Sequence, residues 1–130
     1  MKALDTNILA RLILADDDAQ YASAIALIGQ PVWVPTTVWI ELGWVLSKRL
    51  RLDRAVVSDA LRTILLIETV HTADRDGIGW AIERYRAGAD WADMIHLITA
   101  RGVAETFVTF DRGIVAQAGP DTPLAIETLS

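Results

Sequence analysis

The chain of 130 residues has no cysteine, four prolines, eight glycines, two histidines and few aromatic residues. Without cysteine there is no thiolate nucleophile, no Cys-ligated zinc and no disulfide framework. No run of about 18 uncharged apolar residues occurs, so no membrane-spanning helix is expected. The opening Met1-Lys2-Ala3-Leu4-Asp5 meets an acid almost at once, unlike an export signal. A reducing cytoplasm is therefore the expected address. Positive charge is also scarce: 12 Lys and Arg stand against 17 Asp and Glu, for a net charge of −5. A simple nucleic-acid binder would be basic, because affinity comes largely from neutralising phosphates. Either the protein does not touch nucleic acid, or much of its negative charge sits where cations collect.

What is present is a globular composition. Apolar residues make up 52% and the mean hydropathy is +0.31, which excludes disorder on composition. At this length a single domain over residues 1–130 is expected, burying about two-thirds of its unfolded surface. No repeat, low-complexity tract or linker interrupts the chain.

Short apolar runs alternate with helical periodicity. Lys2–Leu4, Val32–Val34 (between Pro31 and Pro35), Glu68–Thr72, Thr106–Phe110 and Leu124–Glu127 read as strands. Helices are expected from Ile8 to Leu14, from the acidic run Asp16-Asp17-Asp18 to Gly29, and from a Thr36 or Thr37 cap to Leu50. Others run from an Asp53 cap, up to Arg86 with a break at Gly88, and from Asp90 to Gly102. Strands alternating with helices imply an α/β fold with a mainly parallel sheet covered on both faces. In such sheets ligands bind beyond the carboxyl ends of the strands.

Asp5 and Asp111 each follow a strand directly. Either one also fits a turn: Asp5 with Thr6 and Asn7, and Asp111 with Arg112-Gly113. Glu41 lies on a helix that is apolar almost all round, near Val38, Trp44 and Val45 on the helical wheel. Burial there would strip its hydration and call for a metal, an arginine or a partner; the alternative is a rim position reaching water. Asp90 suits an N-cap, and Asp93, three residues on, resembles the reciprocal acid of a capping box. Asp93 also sits one turn before Leu97, which turns it toward the packed side. Jointly, carboxylates end two strands and occupy two helices. Oxygen-only ligands suit hard cations such as Mg²⁺ or Mn²⁺. Clustered carboxylates would repel one another unless such ions neutralised them.

These residues resemble the motifs of the PIN-domain family, and within it the VapC-type ribonuclease toxins of toxin–antitoxin pairs. Leu4-Asp5-Thr6-Asn7-Ile8-Leu9 resembles the first acidic motif, and Ile40-Glu41-Leu42 the helical glutamate. Asp90-Trp91-Ala92-Asp93-Met94-Ile95-His96 resembles the third motif, with its main ligand at Asp93. Thr109-Phe110-Asp111 resembles the fourth. The resemblance implies a three-layer α/β/α sandwich, usually dimeric, and Mg²⁺- or Mn²⁺-dependent cleavage of RNA to a 3′-hydroxyl and a 5′-phosphate. Asp5, Glu41, Asp93 and Asp111 would be the catalytic acids and metal ligands, with Asp90, Thr6, Asn7 and Thr109 auxiliary. Metal ions in such sites lower the pKa of a bound water and stabilise attacking and leaving oxygens. The partners implied are an RNA substrate, a small antitoxin and a second copy of the chain. His71 and His96 read as structural. Phosphate contacts could come from Lys48, Arg49, Arg51 and Arg54, or from Arg11, Arg75, Arg84, Arg86 and Arg112; a solvated helix face explains these equally.

Two other classes stay open. An aspartate-based phosphotransfer domain would use Asp5 as nucleophile, but no second acid follows two residues on and no Lys follows the candidate strands. A non-catalytic binding module would use the apolar girdle of Trp39, Ile40, Trp44 and Val45 as a partner surface.

Overall fold

The computed structural model describes all 130 residues and contains seven α-helices and five strands, every strand pairing being parallel. The chain divides into two compact units, Met1–Arg75 and Asp76–Ser130.

In the first unit, β1 (Lys2–Ala3), β2 (Val32–Trp33) and β3 (Val70–His71) form a sheet in that order. Lys2 pairs with Val32, which pairs with Val70, so the register is unstaggered. The strands are shorter than the apolar runs, but backbone bonds continue past them: Leu4 N–H donates to Trp33 O at 2.8 Å and Val34 N–H to His71 O at 2.9 Å. Leu4, Val32, Val34 and Val70 are buried.

Helix α1 (Thr6–Leu14) starts directly after Asp5, packs on α2 (Asp18–Ile28) and α3 (Thr36–Trp44), and ends at Ala15 in the left-handed region with φ 50°. The acidic run divides its labour. Asp17 caps α2 by accepting from Gln20 N–H at 2.9 Å, Asp18 occupies its first turn, and Asp16 pairs with Arg11 at 2.9 Å. The N-cap of α3 is Pro35, and no side chain caps that helix, so neither Thr36 nor Thr37 takes the role expected of it. Proline's fixed φ presets the entry into the helix without a hydroxyl acceptor. After Trp44 the helix continues as a π-helical turn, Val45–Arg49, closed by Leu50 N–H on Val45 O at 3.0 Å. Asp53 stands at the N-cap of α4 (Arg54–Leu65), though its side chain makes no capping bond.

In the second unit, α5 (Arg75–Arg86, beginning at the boundary residue) and α6 (Trp91–Ala100) are followed by β4 (Thr106–Thr109), α7 (Ile114–Ala118) and β5 (Ala125–Thr128). Strands β4 and β5 pair in register from Thr106–Ala125 to Thr109–Thr128. Gly88, at φ +118°, takes the backbone out of α5, a conformation L side chains rarely adopt. Ile78, Ile82, Met94, Ile95 and Leu97 are fully buried, and Tyr85 meets Trp91 edge to face at a centroid distance of 6.0 Å.

Candidate active site

The first unit carries Asp5, Thr6, Asn7 and Glu41. Asp5 sits at the carboxyl end of β1 and is exposed; it serves as N-cap of α1, accepting from Thr6 N–H at 2.7 Å through one oxygen. Thr6 is 2% exposed, and its hydroxyl finds no protein partner. Asn7 faces a cleft of about 300 Å³ between α1 and α2, shared with Arg11, Gln20 and Ser23.

Of the two readings of Glu41, burial and a rim position, the structure takes the rim position. The carboxylate is exposed, in an open hollow with Thr37, Ile40 and Trp44. The inner face of α3 is taken by Trp39, Leu42 and Gly43, with Leu46 continuing it; Trp44 turns outward and is 53% exposed. The apolar girdle divides accordingly. Trp39 belongs to the core, its indole N–H donating to Thr72 Oγ1 at 3.0 Å, while Ile40 and Val45 are half-buried. The helix is apolar on both sides, and neighbouring elements cover only one.

The second unit brings three acids together: Asp90, Asp93 and Asp111. Asp90 is the N-cap of α6 and accepts from Asp93 N–H at 2.9 Å. Asp111 follows β4 by two residues, its N–H donating to Thr109 Oγ1 at 3.0 Å and its own Oδ1 accepting from Gly113 N–H at 2.8 Å. Thr109 thus shapes the turn that presents Asp111. Asp93 is half-buried, and its carboxyl is held above the ordinary aspartate range. Desolvation is the largest cause, followed by the negative charge of Asp90; Asp111 and a side-chain hydrogen bond with Asp90 push the same way, and His96 opposes them. His96, read from sequence as structural, is therefore an electrostatic neighbour of Asp93. Its signal was present as an (i, i+3) spacing on one helix.

Gln117, which no sequence pattern marked, lies in the middle of this arrangement. Its Oε1 accepts from Asp90 N–H at 3.0 Å, and its backbone carbonyl accepts from Arg84 Nε at 2.7 Å. One nitrogen of the Arg84 guanidinium is thereby engaged inside the unit. Lys48, Arg49, Arg51 and Arg54 are all exposed, in the first unit.

A carboxylate pair on a helix and a third acid after a strand, with a hydroxyl behind it, form an acidic site built on oxygen donors. Residues 2–119 match the PIN domain family. The chain belongs to that family. PIN domains are typically nucleases and typically use divalent metals. None of the curated proteins compared matches this PIN domain. In donor chemistry the acids fit a hard cation: all are carboxylates, and Asp93 carries a like-charge burden that a divalent ion would relieve. Within neither unit do three His, Asp or Glu side chains already converge on one point close enough to hold an ion by themselves.

Proposed function

We propose that this PIN domain is a Mg²⁺- or Mn²⁺-dependent endoribonuclease that acts as the toxin of a toxin–antitoxin pair. The observation that carries the reading is Asp93: a half-buried carboxylate set beside Asp90 and Asp111, in a family of nucleases. Asp90 and Asp111 serve the fold as cap and turn residues, but the like-charge burden on Asp93 opposes folding and a bound cation would relieve it. Asp93 and Asp111 would hold the ion in the second unit, with Asp90 and Thr109 fixing their backbones. The resemblance gives Asp5 and Glu41 as further ligands, with Thr6 and Asn7 in support. When bound, the ion supplies Lewis acidity toward a phosphoryl group and a water of lowered pKa.

The chain's own contribution is to orient these carboxylates and partly shield Asp93 from water; the shielding and the neighbouring charges disfavour its ionised form, which a bound cation would restore. Hydrolysis transfers a water oxygen to phosphorus and breaks the bond to the 3′ oxygen, leaving a 3′-hydroxyl and a 5′-phosphate. No side chain becomes covalently attached to substrate. The cation at the acids also answers the objection raised by the net charge of −5. In this reading the protein works in the cytoplasm as a homodimer, restrained by a small antitoxin that covers the acids.

The test is incubation with RNA and Mg²⁺, with EDTA and Asp5→Ala controls. Cleavage that EDTA and the substitution both abolish supports the proposal. Equal cleavage in all three identifies a contaminating nuclease, and no cleavage of any RNA class by the intact chain overturns it. Sequencing of RNA ends after brief induction in cells would then name the substrate.

A further inference from the structure

In a capping box the N-cap side chain takes the amide three residues on, and the acid at that position reaches back to the N-cap amide. Helix α6 carries the sequence for such a box, Asp90-Trp91-Ala92-Asp93, and makes its first half: Asp93 N–H donates to Asp90 Oδ1 at 2.9 Å. The second half is made by a different residue. Asp90 N–H donates to Gln117 Oε1 at 3.0 Å.

We infer that Gln117 is a positioning residue that substitutes for Asp93 in the capping box and so keeps the Asp93 carboxylate, which shares a side-chain hydrogen bond with Asp90, off the Asp90 backbone amide and available to a ligand. The inference rests on the metal-site reading above. Gln117 is itself fixed at three points. Arg84 Nε donates to its carbonyl at 2.7 Å, its N–H donates to Gly113 O at 3.0 Å, and its amide nitrogen lies against Gly113. A Cβ at Gly113 would stand 3.3 Å from Gln117 Nε2 and 3.2 Å from Asp111 Oδ1, so the amide and the carboxylate flank the same glycine. One side chain thus links the amide at the start of α6 to the turn that carries Asp111, tying together the two segments that supply the acids.

Without Gln117, the capping-box pattern offers the Asp90 amide the Asp93 carboxylate as its protein acceptor. The helix would keep its cap and the site would lose a ligand. Two experiments on the full chain separate this from a plain structural role. The first uses no metal: amide hydrogen exchange at Asp90. Asp93→Ala alone should leave that rate unchanged, because Gln117 holds the proton. In a Gln117→Met background the same Asp93→Ala change should accelerate it roughly 2- to 12-fold, the loss of one net hydrogen bond. Acceleration by Asp93→Ala alone, or none in the double variant, overturns the inference.

The second is Mn²⁺ binding by calorimetry. Gln117→Met should weaken it about 10- to 100-fold, the usual loss when a supporting partner of a ligand is removed, with little change in melting temperature. Gln117→Glu, which keeps the acceptor, should restore most of it. Equal affinity in wild type and Gln117→Met overturns the inference. A wild-type chain that binds no Mn²⁺ overturns the metal-site reading instead, and the exchange experiment still decides whether Gln117 holds the Asp90 amide.

Discussion

Asp90 is pulled in two directions, and its substitutions separate the pulls. Its carboxylate caps α6 through the Asp93 amide at 2.9 Å, and its charge raises the pKa of Asp93. Losing an N-cap acceptor to alanine typically costs about 1 kcal/mol. The charge terms are smaller and opposed. A carboxylate at the positive end of a helix contributes about 0.3–1 kcal/mol, while repulsion between partly exposed, solvent-screened charges is worth under about 1 kcal/mol. Asparagine keeps the acceptor and removes both charge terms, so Asp90→Asn should lie within about 0.5 kcal/mol of wild type at pH 7. Asp90→Ala should fall about 1 kcal/mol below Asp90→Asn, roughly 4 °C in melting temperature for a chain of this size.

The pH dependence carries the sign. Asp93 has a raised pKa when folded, so the folded state binds its proton more readily than the unfolded chain. Stability contributed at this group is therefore present at acid pH and is lost as pH rises from the ordinary aspartate range through the raised value. Removing the Asp90 charge should shrink that loss, making the stability profile of Asp90→Asn flatter across this window, while the alanine deficit persists. Urea denaturation in EDTA from pH 3 to pH 7 measures both. If Asp90→Ala and Asp90→Asn melt together at pH 7, the capping argument is wrong. If the asparagine variant keeps the wild-type slope, the electrostatic argument is wrong.

Four further outcomes are expected. Mn²⁺ at a hundred times its dissociation constant should stabilise the wild type by about 2.7 kcal/mol and leave Asp93→Asn unmoved, as thermal melts in EDTA and in metal would show. Ala15, in the left-handed region at φ 50°, should gain about 0.5–1 kcal/mol on replacement by glycine, readable in the urea midpoint. Trp39→Phe removes the indole donor to Thr72 and part of a fully buried ring, and should lose about 1–3 kcal/mol in the same assay. Thr6→Val removes a buried hydroxyl without a protein partner and should stabilise the chain by up to about 1 kcal/mol while lowering Mn²⁺ affinity; destabilisation would mean that the hydroxyl is already satisfied.

Much of this was legible from residue type and order. Apolar runs between Pro31 and Pro35 and after Glu105 became parallel strands, and Asp17 and Asp90 cap helices as their side chains allow. The acids after β1 and β4 fall at strand ends because turn chemistry and strand length are both local. What failed needed neighbours. Helix α3 is apolar on every side, so its wheel places Glu41 among large side chains without saying which face is covered. Pro35 displaced Thr36 from the cap because backbone preorganisation competes with side-chain acceptors. Helix α7, five residues long behind a glycine turn, is too short to show a period. The contact between Gln117 and Asp90 spans 27 residues and has no local signature.

Two of the places where local physics and fold stability disagree fall in the acidic motifs. Arg11 has Asp16, the buried Ser58 hydroxyl has the Arg54 carbonyl, and the Trp39 indole has Thr72. The exceptions include a buried Thr6 hydroxyl without a protein partner and a half-buried Asp93 among like charges. Both lie inside the acidic motifs, one beside the acid that ends β1 and one on the first turn of α6; the buried Trp80 indole N–H on α5, also without a partner, lies outside them. A sequence shaped for stability alone would place valine at the first and a neutral residue at the second, each a single substitution that leaves the backbone untouched. Retaining polar groups at an energetic cost is what a site does when its partner is absent from the folded chain. On the function proposed above, that partner would supply positive charge to Asp93, which a divalent cation does at the smallest volume.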